Sequence, residues 1–304
     1  MVNIVDAERW HEWGPEDYVE RRWNEAREDV EDLLGLELPW NSDRIHDLQV
    51  ELIDLCVWSL VGSGGVVGEE VWSALDAACE VCRVQFVRAS LPKGEHRLSF
   101  EVLGRSLETG SSGPNPYTMG AGLVGGVVVG VGGSDRGLLD VLRDFEVEWI
   151  AGVGGARGVG LTRIRSSGAR RGRCSLCRGE RGEPVAQQVV EVMRLTDPEL
   201  APVAGAESVL QTEFPSVRLL WDVVSGSRSE FPVDVRVALE ANKEYYTRPV
   251  ENRVRMREGF VPWQILGPVC AAVDSGFEVG VQSQYLPDAL VFDRRDRLRS
   301  GDSG

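Results

Sequence analysis

The sequence predicts a mainly α protein, an irregular multi-helix bundle with a short β element near the C-terminus. Three observations carry that expectation. Apolar residues recur at three- and four-residue steps in several long windows, which is the spacing of one helical face. Three such windows follow one another up to Ser90 with no strand-like stretch between them, as in helix-on-helix architectures. Period-two alternation shows in Phe277, Val279 and Val281, a single short strand that needs a partner.

The first helix is expected over residues 15–34. Pro15 suits the first helical position, where a missing N–H costs nothing. Val19, Trp23, Ala26, Val30 and Leu33 form its apolar stripe, and Gly35 stands just past its end. The opposite face carries Glu20, Glu25, Glu28, Asp29, Glu31 and Asp32. A second helix is expected from Asp43 to about Val61, capped by Ser42, with Ile45, Leu48, Leu52, Leu55 and Cys56 as its stripe. The glycines of "GSGGVVG" break it. A third spans Glu69 to Ser90, with Val71, Leu75, Ala78, Cys82 and Phe86 on one side, and Pro92 and Gly94 stop it.

Residues 104–182 hold 20 glycines in 79 positions, which weakens every regular element there. "GRSLETGSSGPNPYT" reads as a loop, and "GLVGGVVVGVGG" sets strand-forming valines among glycines. "SDRGLLDVLRDF" reads as a helix capped by Ser134. From Gly152 to Gly182 the chain is rich in arginine and glycine and poor in large apolar groups, so it is expected to be mobile or irregular. Helical pattern returns with Val185, Val189, Val192 and Leu195, then with Val217, Leu220 and Val224. A longer helix from Pro232 to about Thr247 carries Val235, Leu239, Asn242 and Tyr246. A last helix near Val261–Val273 stops at Gly276, before the strand, whose partner is expected among the middle valines. The expected organisation is an acidic helical region over 1–103, a Gly/Arg-rich segment over 104–183 and a helical region over 184–304, together forming one compact domain.

The 304 residues, 42% of them hydrophobic, are enough for a sizeable core. The formal charge of −15 is unevenly spread. Residues 1–80 carry 20 Asp and Glu against 5 Arg, whereas residues 151–185 carry 8 Arg against 2 Glu. Such an acidic surface repels nucleic acid and anionic lipid and attracts basic partners; it also serves plain solubility. The N-terminus "MVNIVDAERWHEWGPED" lacks the apolar core of a secretory signal, and "GLVGGVVVGVGG" is too short to span a bilayer. A cytoplasmic protein with neither membrane nor nucleic-acid partners is expected, and its six cysteines read as thiols rather than as a disulfide scaffold.

Motifs for chemistry are sparse. Cys79 and Cys82, with Cys174 and Cys177, have the spacing of two halves of a four-sulfur zinc site. The first pair, however, falls on the apolar face of a helix, where small thiols pack well, so no metal is expected. The glycine clusters "GSGGVVGEE" and "GVGGARG" lack both the strand–loop–helix context and the Gly-Lys-Ser/Thr of a phosphate loop. His11, His46 and His96 form no metal-spaced pair, and His46 beside Asp47 reads as a solvated helix surface. The arginine segment "RIRSSGARRGRCSLCRGERG" lacks aromatics for base stacking and could serve as an internal counterion. No catalytic constellation emerges, so neither enzyme activity nor a cofactor is expected.

Two C-terminal stretches carry a resemblance. "VALEANKEYYTR", Val237 to Arg248, and "ILGPVCAAVDSGFEVGVQSQYLPDALV", Ile265 to Val291, resemble the immunity protein 49 family of bacterial polymorphic-toxin systems. The Val237–Arg248 stretch is similar to the family's Ala-Leu-x-x-His/Asn-Lys-x-Tyr-aromatic helix. The Ile265–Val291 stretch is similar to its Leu-Gly-Pro helix, Asp-x-Gly turn, short strand and closing Ser-x-Tyr-Leu-Pro. Fainter echoes are "PNPYT" at 114–118, "DRGLLDVL" at 135–142 and "TDP" at 196–198. The resemblance implies a mostly helical fold and an antitoxin activity: binding and neutralising a cognate protein toxin, with no catalytic residues to transfer. From the residues themselves, Glu25, Glu28, Asp29 and Asp32 are the candidate partner-binding group. Helical neighbours three and four apart share a face, and these would make one negative patch suited to a basic toxin. Two alternatives stay open, a zinc protein or enzyme using the cysteine pairs and a helical scaffold without a toxin partner.

Overall fold

The computed structural model describes residues 3–4, 17–37, 39–118, 130, 135–144, 190, 206–248 and 253–293. In chain order the elements are β1 (Asn3–Ile4), α1 (Tyr18–Gly35), α2 (Ser42–Gly62), α3 (Glu69–Ser90), β2 (Arg97–Val102), β3 (Arg105–Gly110), α4 (Arg136–Asp144), α5 (Phe214–Ser225), α6 (Phe231–Thr247), α7 (Trp263–Asp274) and β4 (Val281–Gln282). The protein is mainly α, as the apolar periodicity predicts. The elements group into two compact units, α1 to α4 with the β2–β3 hairpin in one, and β1 with everything from α5 onward in the other.

In the first unit α2 and α3 form the centre. Along α3 the side chains of Val71, Ala74, Leu75, Ala78, Cys79 and Cys82 are all at most 2% exposed. Small residues let α2, α4 and β2 approach that helix on several sides. All five residues of the expected α2 stripe are buried, and the last turns of α2, from Leu55 to Val61, are buried on every face. α1 covers α2 with Tyr18, Ala26, Val30 and Leu34. One polar knot ties the three helices: the Trp23 indole N–H donates to Ser59 Oγ (3.0 Å) and to Glu70 Oε2 (3.2 Å), and the Ser59 hydroxyl donates to Glu70 (3.0 Å).

Local details differ from the sequence-based expectation. Of the expected α1 stripe, Ala26 and Val30 are buried, but Val19, Trp23 and Leu33 are half-buried, and Tyr18 and Leu34 are buried instead. The cap of α2 is Asn41, whose Oδ1 accepts from the Arg44 N–H at 3.0 Å; Ser42 is already helical. Gly35 is the last residue of α1 rather than the one beyond it. Most of all, "RSLETG" is no loop but strand β3, antiparallel to β2 with Phe100 opposite Leu107. Leu103 (φ 50°) and Gly104 (φ 75°) make the two-residue turn, both in the left-handed region that the twist of a hairpin favours. Phe100, Val102, Leu107 and Thr109 form the buried face. Arg88, 4% exposed at the end of α3, fixes the hairpin by donating to the Gly110 carbonyl (3.0 Å) and to Ser42 Oγ (3.2 Å). α4 docks on α3 through Leu138 and Leu142, and its first turn is held by Asp135 Oδ1, which accepts from the Leu138 N–H at 2.7 Å.

In the second unit a short helical lead-in, Ala206–Ser208, and a π-helical turn, Val209–Glu213, run into α5. The expected α5 stripe is only partly right. Val217 is buried, but Leu220 and Val224 are half-exposed, and the buried face instead reads Pro215, Ser216, Val217, Leu219 and Asp222. The α6 stripe is as expected, with Val235, Leu239, Asn242 and Tyr246 all buried. Phe277 and Val279 are buried in alternation with exposed Glu278 and Gly280, yet only Val281–Gln282 joins a ladder. Its partner is β1, parallel, with Asn3 opposite Val281; the middle valines do not supply it. Gly280 is obligatory here. Its φ is +65°, and a Cβ at that position would lie 2.7 Å from Pro232 Cβ. The expectations for Pro15, for Ser134, for the valines of "GLVGGVVVGVGG", for residues 152–182 and for Val185, Val189, Val192 and Leu195 fall outside the described residues.

Candidate partner-binding site

The four acids picked out on α1 lie where helical spacing puts them, on the side away from buried Ala26 and Val30. They are not equivalent. Glu25 is half-exposed and ion-paired, its Oε2 accepting from Arg22 Nη1 at 2.7 Å, with Arg21 Nε at 3.9 Å from Oε1. Arg22 also reaches Asp54 of α2 at 3.4 Å, so Glu25 belongs to an ion-paired cluster. Glu28, Asp29 and Asp32 stand exposed, with no ion pair among the described residues. The negative patch therefore rests on Glu28, Asp29 and Asp32 rather than on all four residues.

A second wall, which sequence spacing does not assemble, comes from α2. Asp29, Asp32, Leu33 and Leu36 face His46, Asp47, Val50 and Glu51 across an open groove of about 590 Å³. Its lining combines four carboxylates, Asp29, Asp32, Asp47 and Glu51, with the apolar Leu33, Leu36 and Val50. His46, Asp47, Val50 and Glu51 follow three- and four-residue steps, so the α2 face is readable; that it meets the acidic side of α1 depends on how the helices pack. His46 is not simply solvated. Its ring stacks on Tyr117 with centroids 4.2 Å apart and planes 18° from parallel. The Tyr117 hydroxyl in turn donates to Asp43 Oδ1 at 2.9 Å, a bond to a carboxylate that raises the phenol pKa. The "PNPYT" segment thereby braces one end of the groove.

Such a groove suits a long cationic side chain or a basic segment: carboxylates for the charge, aliphatic surface for the stem. It holds no nucleophile paired to a base, which nucleophilic catalysis needs. Cysteine chemistry is quiet elsewhere in the described residues. Burial pushes the Cys56 and Cys82 thiols up to about 12, and holds Cys79 well above its ordinary value, so almost none is thiolate at neutral pH. No group of three or more His, Cys, Asp or Glu able to hold a metal occurs among the described residues; Cys174 and Cys177 lie outside them. No helix among the described residues is long and apolar enough to cross a membrane.

A family model described as immunity protein 49 matches residues 65–290. No curated protein and no solved structure matches the chain.

Proposed function

The chain belongs to the immunity protein 49 family, and from that premise we propose that it binds and neutralises a cognate protein toxin, docking it through the acidic groove between α1 and α2. The observation that carries the docking surface is the groove itself, lined by carboxylates from two helices together with apolar side chains, on the most acidic part of the chain. Its residues precede the matched segment, so the assignment of the surface rests on this chain's own side chains and not on the family's. A basic toxin is the partner of choice, because opposite charge steers encounter and fixes orientation. Binding in a one-to-one complex in the cytoplasm, without catalysis or cofactor, completes the reading.

The test is inhibition. The purified chain is titrated into its cognate toxin domain while toxin activity and complex mass are followed. Loss of activity at one equivalent, weakened by replacing Asp29, Asp32, Asp47 and Glu51 with their amides, is the expected result. A toxin that stays active in the presence of excess folded chain contradicts the proposal. Inhibition untouched by the amide variant keeps the antitoxin role and moves the docking surface elsewhere.

A further inference from the structure

A different carboxyl pair lies inside the second unit. Asp222, late in α5, and Asp234, in the first turn of α6, are 3% and 7% exposed. The turn between the helices, with Gly226 at φ 76°, folds α6 back against α5. Asp234 has a counterion, since Arg218 Nε donates to its Oδ2 at 2.7 Å. Asp222 lacks one of its own. Its Oδ2 is buried without a donor, and its carboxyl lies within hydrogen-bonding reach of Asp234. Two carboxylates bring only acceptors to such a contact, so a hydrogen bond between them requires a proton.

The surroundings do not relieve the pair. On α5 the one cation acting on Asp222 is Arg218, already bonded to Asp234. Glu230, at the end of the turn, adds negative charge. Arg228 in the same turn is engaged with the Ser275 and Gly276 carbonyls, and Arg236 of α6 with Glu240. α7 packs on α5 and carries a single charged residue, Asp274, which is exposed. The π-helical turn, packed on both helices, carries a single acid, Glu213, itself pushed up by burial.

We propose that the α5–α6 hairpin is a proton-binding device, in which Asp222 holds a proton donated to Asp234 and its release to water as pH rises loosens the hairpin. Burial first, then the bond to Asp234 and its charge, push the Asp222 carboxyl from 3.8 up to about 7, against the pull of Arg218. A group raised in the folded state stabilises the fold fully below its unfolded value, and that stability is lost as pH climbs through the folded value. The stability that this proton contributes is thus full below about pH 4 and is lost between about pH 4 and pH 7.

The experiment is a side-chain carboxyl NMR titration of the full chain, with the Asp222 resonance assigned by its absence in Asp222→Asn. The expected result is a midpoint near 7 for Asp222, lowered in Asp234→Asn, where the neighbouring negative charge is gone. Denaturation midpoints should fall with pH in the natural chain and less steeply in Asp222→Asn, whose amide N–H replaces the proton permanently. A midpoint in the ordinary carboxyl range overturns the proposal, as does an unchanged pH slope in folded Asp222→Asn. Should Asp222→Asn fail to fold, the resonance that moves in Asp234→Asn identifies the group and decides the question.

Discussion

The two units put one residue type to opposite uses. Asp29 and Asp32 stand in water along an open groove, whereas Asp222 and Asp234 are enclosed between two helices. In water a carboxylate keeps its charge at little cost, and its field reaches about a Debye length, roughly 8 to 10 Å at physiological salt. Enclosed, the same charge is expensive, and one member of the pair holds a proton instead. Acid content alone therefore says nothing about what an acid does. Packing decides whether its charge faces a partner or strains the fold.

If the second unit is as closely filled as this comparison holds, Gly280→Ala should give the largest effect. The new methyl meets Pro232 at 2.7 Å and the backbone is left-handed. A loss of about 2–3 kcal/mol is expected in chemical denaturation, from overpacking plus the left-handed penalty. A loss under about 0.5 kcal/mol, the range of an ordinary surface change, would mean that Pro232 yields freely and that the unit is looser than described.

Next comes pH. Above about pH 4, thermal midpoints of the second unit should decline through neutrality, and Asp222→Asn should flatten that decline. Amide replacement of Glu28, Asp29 and Asp32, which belong to the other unit, should leave the decline as it is. Equal flattening by both variants would erase the distinction between the two acid sites.

A smaller effect is expected at the β2–β3 turn in the first unit. Leu103 sits at φ 50°, a conformation that asparagine tolerates better, and its side chain is exposed. Leu103→Asn should raise stability by about 1 kcal/mol in denaturant titration. An unchanged midpoint would show that leucine is not strained there. The smallest change should come from Glu28→Gln with Asp29→Asn and Asp32→Asn, within about 0.5 kcal/mol by the same measurement, with slight stabilisation from relieved like-charge contacts. A larger loss would make these acids part of the fold rather than a face for partners.

What can be read from the sequence follows from how local each signal is. The span of α3, Glu69 to Ser90, and the stripes of α2 and α6 are legible, since three- and four-residue spacing and nearby breakers fix them. Strand β3 is not: its glycine and serine neighbours read as a loop, and only Leu107 and Thr109 carry the alternation. The β1 partner of Val281 lies nearly the whole chain away, beyond any local pattern. The α1 ridge is visible in the sequence, but its pairing with Asp47 and Glu51, and the ion pairing of Glu25 with Arg22, require helix packing. Asp222 is hidden for a related reason. A polar residue within "LLWDVV" reads as the outer face of a helix, and only the fold-back of α6 encloses it.

The rate at which the chain associates with its toxin tests the outward-facing role of the groove most directly. Stopped-flow mixing would compare the natural chain with one carrying amides at Glu28, Asp29, Asp32, Asp47 and Glu51, at low salt and near 1 M salt. The natural chain should associate about tenfold faster at low salt, with dissociation little changed, and the two should converge at high salt, where the Debye length falls to about 3 Å. Equal association rates at low salt, for a variant whose fold is intact, would contradict the steering role and leave the acidic face as a solubility trait.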